Sequence, residues 1–173
     1  HRPDINVRSL RGNVHTRLEK LDNGEVDAII LAVSGLKRIN LENRITEIFP
    51  IKWMLPAIGQ GTIGIETRKG DHQTMSLLEH INDRVTNECL LAERSLLLEL
   101  EGNCQTPIAG YCINKIEELY LMSALCDHEG KSLIVYEARA QPHDAVSLGK
   151  ESAEWLLKNG GDQILQKSHA ALQ

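Results

Sequence analysis

Five segments after Asp83 constrain the fold most, because their polarity patterns occur in an order that specifies one compact arrangement. The first segment repeats apolar residues at helical spacing, at Val85, Cys89, Ala92, Leu96 and Leu100. Three alternating segments follow, over Thr106–Asn114, Glu118–Cys126 and Ser132–Ala140. An amphipathic helix over Ala145–Lys158 ends at Gly160-Gly161. A helix, three antiparallel strands and a second helix make an α+β unit that can fold on its own.

The first third of the chain has a different pattern, in which strands alternate with helices. Val7–Leu10 reads as the end of a strand, and Asn13 is a suitable N-cap for a helix from Val14 to Leu21. The apolar run over Asp27–Val33 is typical of a strand covered on both faces. A second helix should follow Ser34-Gly35 and continue to about Ile48. This order predicts an α/β fold with a partly parallel sheet.

The segment between these two regions contains closely spaced glycines. Ile58–Ile65 reads as a β segment, and glycines inside such a segment mark bulges or a close approach by backbone or ligand. A polar turn over Arg68–Asp71 and a short helix over Thr74–Ile81 come next. We therefore expect the architecture to change between residues 68 and 84.

Charge and cysteine usage exclude several classes of protein. Lys and Arg total 19 against 24 Asp and Glu, and a net charge of −5 argues against a general nucleic-acid binder. No apolar run reaches the ~18 residues that span a bilayer, and His1–Asn6 lacks the apolar core of a signal peptide. The four cysteines form no Cys-x-x-Cys pair and the histidines no ligand spacing, so we expect no metal site. Two disulfides stay possible, although reduced thiols in the cytoplasm are the preferred interpretation.

Three groups of residues are candidates for chemistry. Arg8, Arg11 and Arg17 surround the start of the first helix, and Arg38 lies further on. Free N–H groups at a helix start favour anions, and guanidinium groups bind carboxylates or phosphates in a bidentate manner. We therefore predict an anion site, while solvated surface charges remain the alternative.

Gln60 and Cys104 are the other two candidates. Gln60 lies in Gly59-Gln60-Gly61, where a structural amide is the alternative to a ligand contact. Cys104 lies in a loop between a helix and a strand, where an exposed thiol could react if its surroundings favoured the thiolate. A purely structural cysteine is the alternative.

Several motifs in one order resemble the porphobilinogen deaminase (hydroxymethylbilane synthase) family. The resemblance covers nearly all of the chain, and chance does not explain so many motifs in sequence. The matching stretches are Arg8–Val14, Thr16–Leu18, Leu21–Gly24, Asp27–Ala32, Gly35–Arg38, Pro56–Gly61 and Glu101–Ile108.

The resemblance implies a cytoplasmic, monomeric transferase of tetrapyrrole and haem biosynthesis. Such an enzyme condenses four units of the small molecule porphobilinogen into hydroxymethylbilane, releasing ammonia at each addition, on a covalently held dipyrromethane cofactor. Cys104 matches the cysteine that carries this cofactor through a thioether. Arg11 and Arg17 match arginines that pair with the carboxylates of cofactor and substrate, and Arg38 and Gln60 match positions that line the same cleft.

The resemblance also implies a domain organisation. Residues 1–55 match the second half of the second domain, an incomplete α/β lobe of the periplasmic-binding-like kind. Residues 56–82 match a segment that returns to the first domain, and residues 83–173 match the C-terminal domain with the cofactor cysteine. The chain opens with His1 rather than Met, and we interpret it as a fragment. No aspartate matches the family's catalytic one, so we expect these residues alone to be inactive. A non-catalytic anion-binding or ligand-binding module is the alternative.

Overall fold

The computed structural model describes residues 4–102 and 106–171, with side chains up to residue 168. The chain divides into two compact units, His1–Phe49 and Pro50–Gln173. The sequence placed the change of architecture later, between residues 68 and 84. The three-part division at residues 55 and 82 remains a prediction.

The first unit contains two short helices and no β-strand among its described residues. Helix α1 spans Val14–Asp22, and the Asn13 side chain accepts a hydrogen bond from the Thr16 N–H, as the N-cap prediction requires. Helix α2 spans only Val33–Arg38, and a single 3₁₀ turn follows at Glu42–Arg44. The prediction of one helix reaching Ile48 is therefore wrong. Asn40, which has a positive φ of 57°, interrupts the helical course between these two elements.

Three strand predictions are also wrong. Residues 7–10, 27–33 and 58–65 form no strand. A strand exists only as part of a hydrogen-bonded ladder, and the described residues provide no partner strand for these segments. Ile30, inside the strongest apolar run, is 63% exposed. The predicted periplasmic-binding-like lobe is therefore not confirmed, whereas the helices and the antiparallel sheet of the other unit agree with the broader fold class.

The second unit contains the sheet and its helices. Helix α3 spans His72–Glu79 and α4 spans Arg84–Glu99; their N-caps are Asp71 and Asp83. The hydrogen bonds that these carboxylates accept hold the pKa of each below its ordinary value. The predicted short helix at Thr74–Ile81 thus begins and ends two residues earlier than expected.

The three predicted strands are confirmed, each beginning one or two residues later than expected. Strands β1 (Ile108–Asn114), β2 (Leu119–Cys126) and β3 (Leu133–Ala140) form an antiparallel sheet in the order β1-β2-β3. The central strand β2 is buried along nearly all of its length. Its residues Leu119, Leu121 and Leu125 are fully buried. They belong to hydrophobic core clusters that also contain residues of α4 and of the helix that follows the sheet.

The last predicted helix continues into an element that the sequence did not indicate. Helix α5 spans Ala145–Leu156, a kink follows at Leu157–Gly161, and α6 spans Asp162–Ala171. Gly160 adopts a φ of +103°, so the glycine pair redirects the chain rather than ending its helical course. Ile164 and Leu165 of α6 are 7% exposed and complete a core cluster with Leu156.

None of the helices among residues 4–102 and 106–171 is long and apolar enough to cross a membrane.

Candidate functional site

The predicted anion site lies at the start of α1, where the Asn13 cap fixes the first turn. Asn13 Oδ1 accepts from the Thr16 N–H at 2.9 Å and lies 3.1 Å from the Thr16 hydroxyl. Gly12, with a φ of +126°, leads into this turn; a Cβ there would lie 2.9 Å from the Thr16 side chain. The approach to the helix is therefore narrow, and Gly12 fits it because it lacks a side chain.

Arg17 is anchored to the same turn. Its Nε donates to the Gly12 carbonyl at 2.8 Å, and the side chain is half-buried. Because this bond uses the inner N–H of the guanidinium group, the two terminal nitrogens are left as a fork of the kind that binds a carboxylate. Lys20 Nζ donates to the Arg11 carbonyl at 3.2 Å, which adds a second cation to this surface.

The other predicted arginines are less constrained. Arg8, Arg11 and Arg38 are exposed, and Arg38 occupies the last turn of α2. Arg44, which the sequence analysis did not select, forms an ion pair with Asp22 at the end of α1. The structure thus brings Arg11 and Arg17 to one helix start.

Gln60 lies in the second unit, in two consecutive turns rather than in a strand. The Gln60 N–H donates to the Ala57 carbonyl at 3.1 Å, and the Thr62 N–H to the Gly59 carbonyl at 3.0 Å. Gly59 has a φ of +69° at the third position of the turn over residues 57–60, a position where some β-turns require a positive φ. Gln60 itself is exposed. The turn therefore presents the Gln60 side chain at the surface.

Cys104 falls within residues 103–105, outside the described part of the chain, but the residues on either side of this segment are well packed. The Gly102 N–H donates to the Leu97 carbonyl at 3.0 Å, and a Cβ on Gly102 would lie 2.4 Å from Ile108. On the other side Thr106 is buried, and the Pro107 carbonyl accepts from the Cys126 N–H at 3.1 Å. The chain is thus well packed on both sides of residues 103–105.

The three described cysteines are free thiols and lie where the sequence predicted. Cys112 is in β1, Cys126 ends β2, and Cys89 packs from α4 against the apolar cluster around Cys112. Burial raises the pKa of each thiol, most strongly for Cys112, so their reactive thiolate forms are disfavoured. Cys89 and Cys112 therefore pack in the core, and Cys126 is a half-buried thiol at the end of β2.

Glu93 is a buried charged residue that was not among the candidates predicted from the sequence. Its Oε2 accepts from the Gly59 N–H at 2.7 Å and its Oε1 from the Cys112 N–H at 2.9 Å, while the residue is only 7% exposed. Burial raises the pKa of this carboxyl group, although the two hydrogen bonds oppose the shift. A signal was available, because Glu93 follows Cys89 by four residues and precedes Leu96 by three, which places it on the apolar face of α4.

Two family models match the chain. Residues 1–76 match the model described as porphobilinogen deaminase, dipyromethane cofactor binding domain, and residues 87–158 match the model of the porphobilinogen deaminase C-terminal domain. The chain belongs to the porphobilinogen deaminase family. This is a family of transferases of tetrapyrrole biosynthesis that act on the small molecule porphobilinogen. Residues 1–76 of the chain correspond to the domain of this family that binds the dipyrromethane cofactor.

Proposed function

We propose that the chain takes part in the assembly of hydroxymethylbilane, and that its start of α1 binds the carboxylates of cofactor and substrate. The observation that carries this role is the Arg17 guanidinium group, held by Gly12 beside a capped helix N-terminus. Each pyrrole ring carries two carboxylates, so charge accumulates as the product grows. Arginine forks at a helix start stabilise such charges, which explains a cationic site on a protein of net charge −5.

Cys104 is the proposed attachment point of dipyrromethane, through a thioether. Support comes from its motif, and from the other three thiols, whose reactive thiolate forms are disfavoured because burial raises the pKa of each. When bound, the cofactor supplies the pyrrole end to which further porphobilinogen units are joined with release of ammonia. A tether turns each addition into a local reaction, because the growing end does not leave the protein between additions. Arg38 and Gln60 are the further proposed contacts to substrate, and the cytoplasm is the proposed compartment.

The attachment is tested by intact mass. We expect chain purified from cells that contain an active enzyme of the family and are supplied with porphobilinogen to carry a dipyrromethane adduct, and the Cys104→Ser variant to lack it. Cys126→Ser is the matched control, since Cys126 is half-buried and its thiol pKa is raised. Loss of the adduct in Cys126→Ser, or its retention in Cys104→Ser, would contradict the assignment.

A second expectation concerns turnover by these 173 residues alone. None of their aspartates matches the family's catalytic one, so we expect the purified polypeptide to form no hydroxymethylbilane from porphobilinogen. Ammonia release followed over hours is the measurement, with a complete family enzyme as the positive control. Steady ammonia release by the polypeptide would show that another acid serves in its place.

The alternative function is a binding module without catalysis. The same Arg17 site favours it, because an anion site needs no covalent cofactor. The two functions differ in the adduct: a module would bind porphobilinogen reversibly and show the same mass before and after exposure to it.

A further inference from the structure

Glu93 connects three elements of the second unit through one buried carboxylate. It belongs to α4, and its two oxygens accept separate N–H groups from β1 and from the turn that contains Gly59. Both partners are neutral backbone groups, so the hydrogen bonds offset the cost of burying the charge without an ion pair.

The bond to Cys112 is one of several that satisfy the outer edge of β1. The Ile108 N–H donates to the Thr106 carbonyl, the Gly110 N–H to the Pro56 carbonyl, and the Cys112 N–H to Glu93. Satisfied N–H groups make an edge strand a poorer template for pairing with another chain. An acceptor that faced only the Cys112 N–H would be enough to satisfy this edge. The hydrogen bond between Glu93 and the Gly59 N–H therefore needs a separate explanation.

The second bond fixes the turn over residues 57–62, which we name the Gln60 turn. Two contacts attach its first half to the domain: the Ile58 side chain packs on the core cluster around Leu96, and the Gly59 N–H donates to Glu93. Just before the turn, the Pro56 carbonyl accepts from the Gly110 N–H. A Cβ built on Gly59 would lie 3.3 Å from Leu90, so the backbone here runs close to α4. Gln60, the next residue, is exposed.

Only a carboxylate provides both acceptors. A glutamine in the same place has one oxygen, and its amide group would direct an N–H at one of the two backbone donors. We propose that Glu93 is a positioning residue, which holds the Gln60 turn against α4 and β1 and so fixes Gln60 where it meets the pyrrole substrate. This inference depends on the proposed function, because that function makes Gln60 a substrate contact.

The first experiment measures the turn itself, in the whole chain and without substrate. In Glu93→Gln we expect amide hydrogen exchange over residues 57–62 to be roughly 10-fold faster or more, since a charge-assisted hydrogen bond is lost. Exchange in β2 should stay slow, which shows that the domain is folded. Glu99→Gln is the matched control, because Glu99 is an exposed residue of the same helix and the charge change is identical. Equal exchange rates in both variants would overturn the inference.

The unmodified protein offers a measurement that no folding defect can disturb. As Glu93 titrates, the amide proton resonances of Gly59 and Cys112 should shift together with one apparent pKa above the ordinary glutamate value. The nearby thiols of Cys89 and Cys112 do not titrate in the same pH range as Glu93, because burial raises the pKa of each thiol above the ordinary value near 9. Independent titration of the two amides would contradict a shared carboxylate.

The second experiment tests the link to Gln60 by a double-mutant cycle on the affinity for porphobilinogen. If Glu93 acts through Gln60, then Glu93→Gln, Gln60→Ala and the double variant weaken binding by similar factors. Additive losses, or an unchanged affinity in Glu93→Gln, would overturn the positioning role. If the unmodified chain bound no porphobilinogen, the proposed function and the role of Gln60 would both be contradicted. The comparison of exchange rates is independent of this result and decides whether Glu93 holds the turn.

Discussion

Replacing Gly149 by alanine should lower the free energy of unfolding by about 2 kcal/mol or more, one of the two largest effects we expect. Gly149 lies in α5 where this helix crosses α4, and a Cβ there would lie 2.3 Å from the Ala92 carbonyl oxygen and 2.7 Å from the Leu96 nitrogen. Alanine is the better helix former by about 1 kcal/mol. The steric cost exceeds this gain, because the obstructing atoms belong to the backbone of α4 and the two helices have to separate.

Gly64→Ala provides the control for this prediction. Nothing lies within 4 Å of a Cβ at Gly64 and its φ is not positive, so we expect a change within about 0.5 kcal/mol. Urea unfolding followed by circular dichroism measures the free energy of unfolding of both variants. The comparison requires that the dependence of this free energy on urea concentration is the same in both. A Gly149→Ala protein as stable as the unmodified chain would mean that α4 and α5 do not pack as closely as described.

The C-terminal sheet was predictable because its patterns are local. The alternation in β1 and β3, the apolar run in β2 and the helical spacing in α4 each lie within one segment. The turn at Asp127 is stabilised by its own carboxylate, which accepts from Glu129, Lys131 and Ser132. Such segments fold as their composition indicates. The chain order then leaves few ways to assemble them.

The errors arose where long-range contacts decide the structure. The apolar run at residues 28–33 has the composition of a strand, but strand formation depends on a partner that the run itself cannot specify. Helix α6 was missed because Gly160-Gly161 resembled a terminal stop. Its buried residues Ile164, Leu165 and Ser168 recur at helical spacing and were the available signal.

The candidate site shows the same division between local and long-range information. The Asn13 cap and the arginines around it could be predicted from adjacent residues, and the Arg17 bond to Gly12 spans only five positions. The spacing of Glu93 places it on the apolar face of α4, but its partner Gly59 lies 34 residues away and could not be identified from adjacent residues. Buried polar groups that join distant segments are therefore the part of a site for which a three-dimensional structure is needed.

The other large effect concerns Arg17, and it tests the proposed function directly. We expect Arg17→Leu to weaken the affinity for porphobilinogen by roughly 10-fold to 100-fold, because a charged hydrogen-bond donor contributes about 1.5–3 kcal/mol. Arg17→Lys should restore only part of the affinity. A lysine keeps the charge, but it lacks both the fork and the Nε that donates to Gly12.

Isothermal titration calorimetry measures these affinities, with Arg94→Leu as the control for the loss of one positive charge. Arg94 is an exposed residue of α4 in the second unit, and its replacement should leave binding unchanged. Raising the ionic strength should weaken binding to the unmodified chain more than to Arg17→Leu, since screening acts on the charge that the variant lacks. If Arg17→Leu and Arg94→Leu bound equally well, the carboxylates of the substrate would have to be recognised elsewhere, and the start of α1 would lose its role in the proposed function.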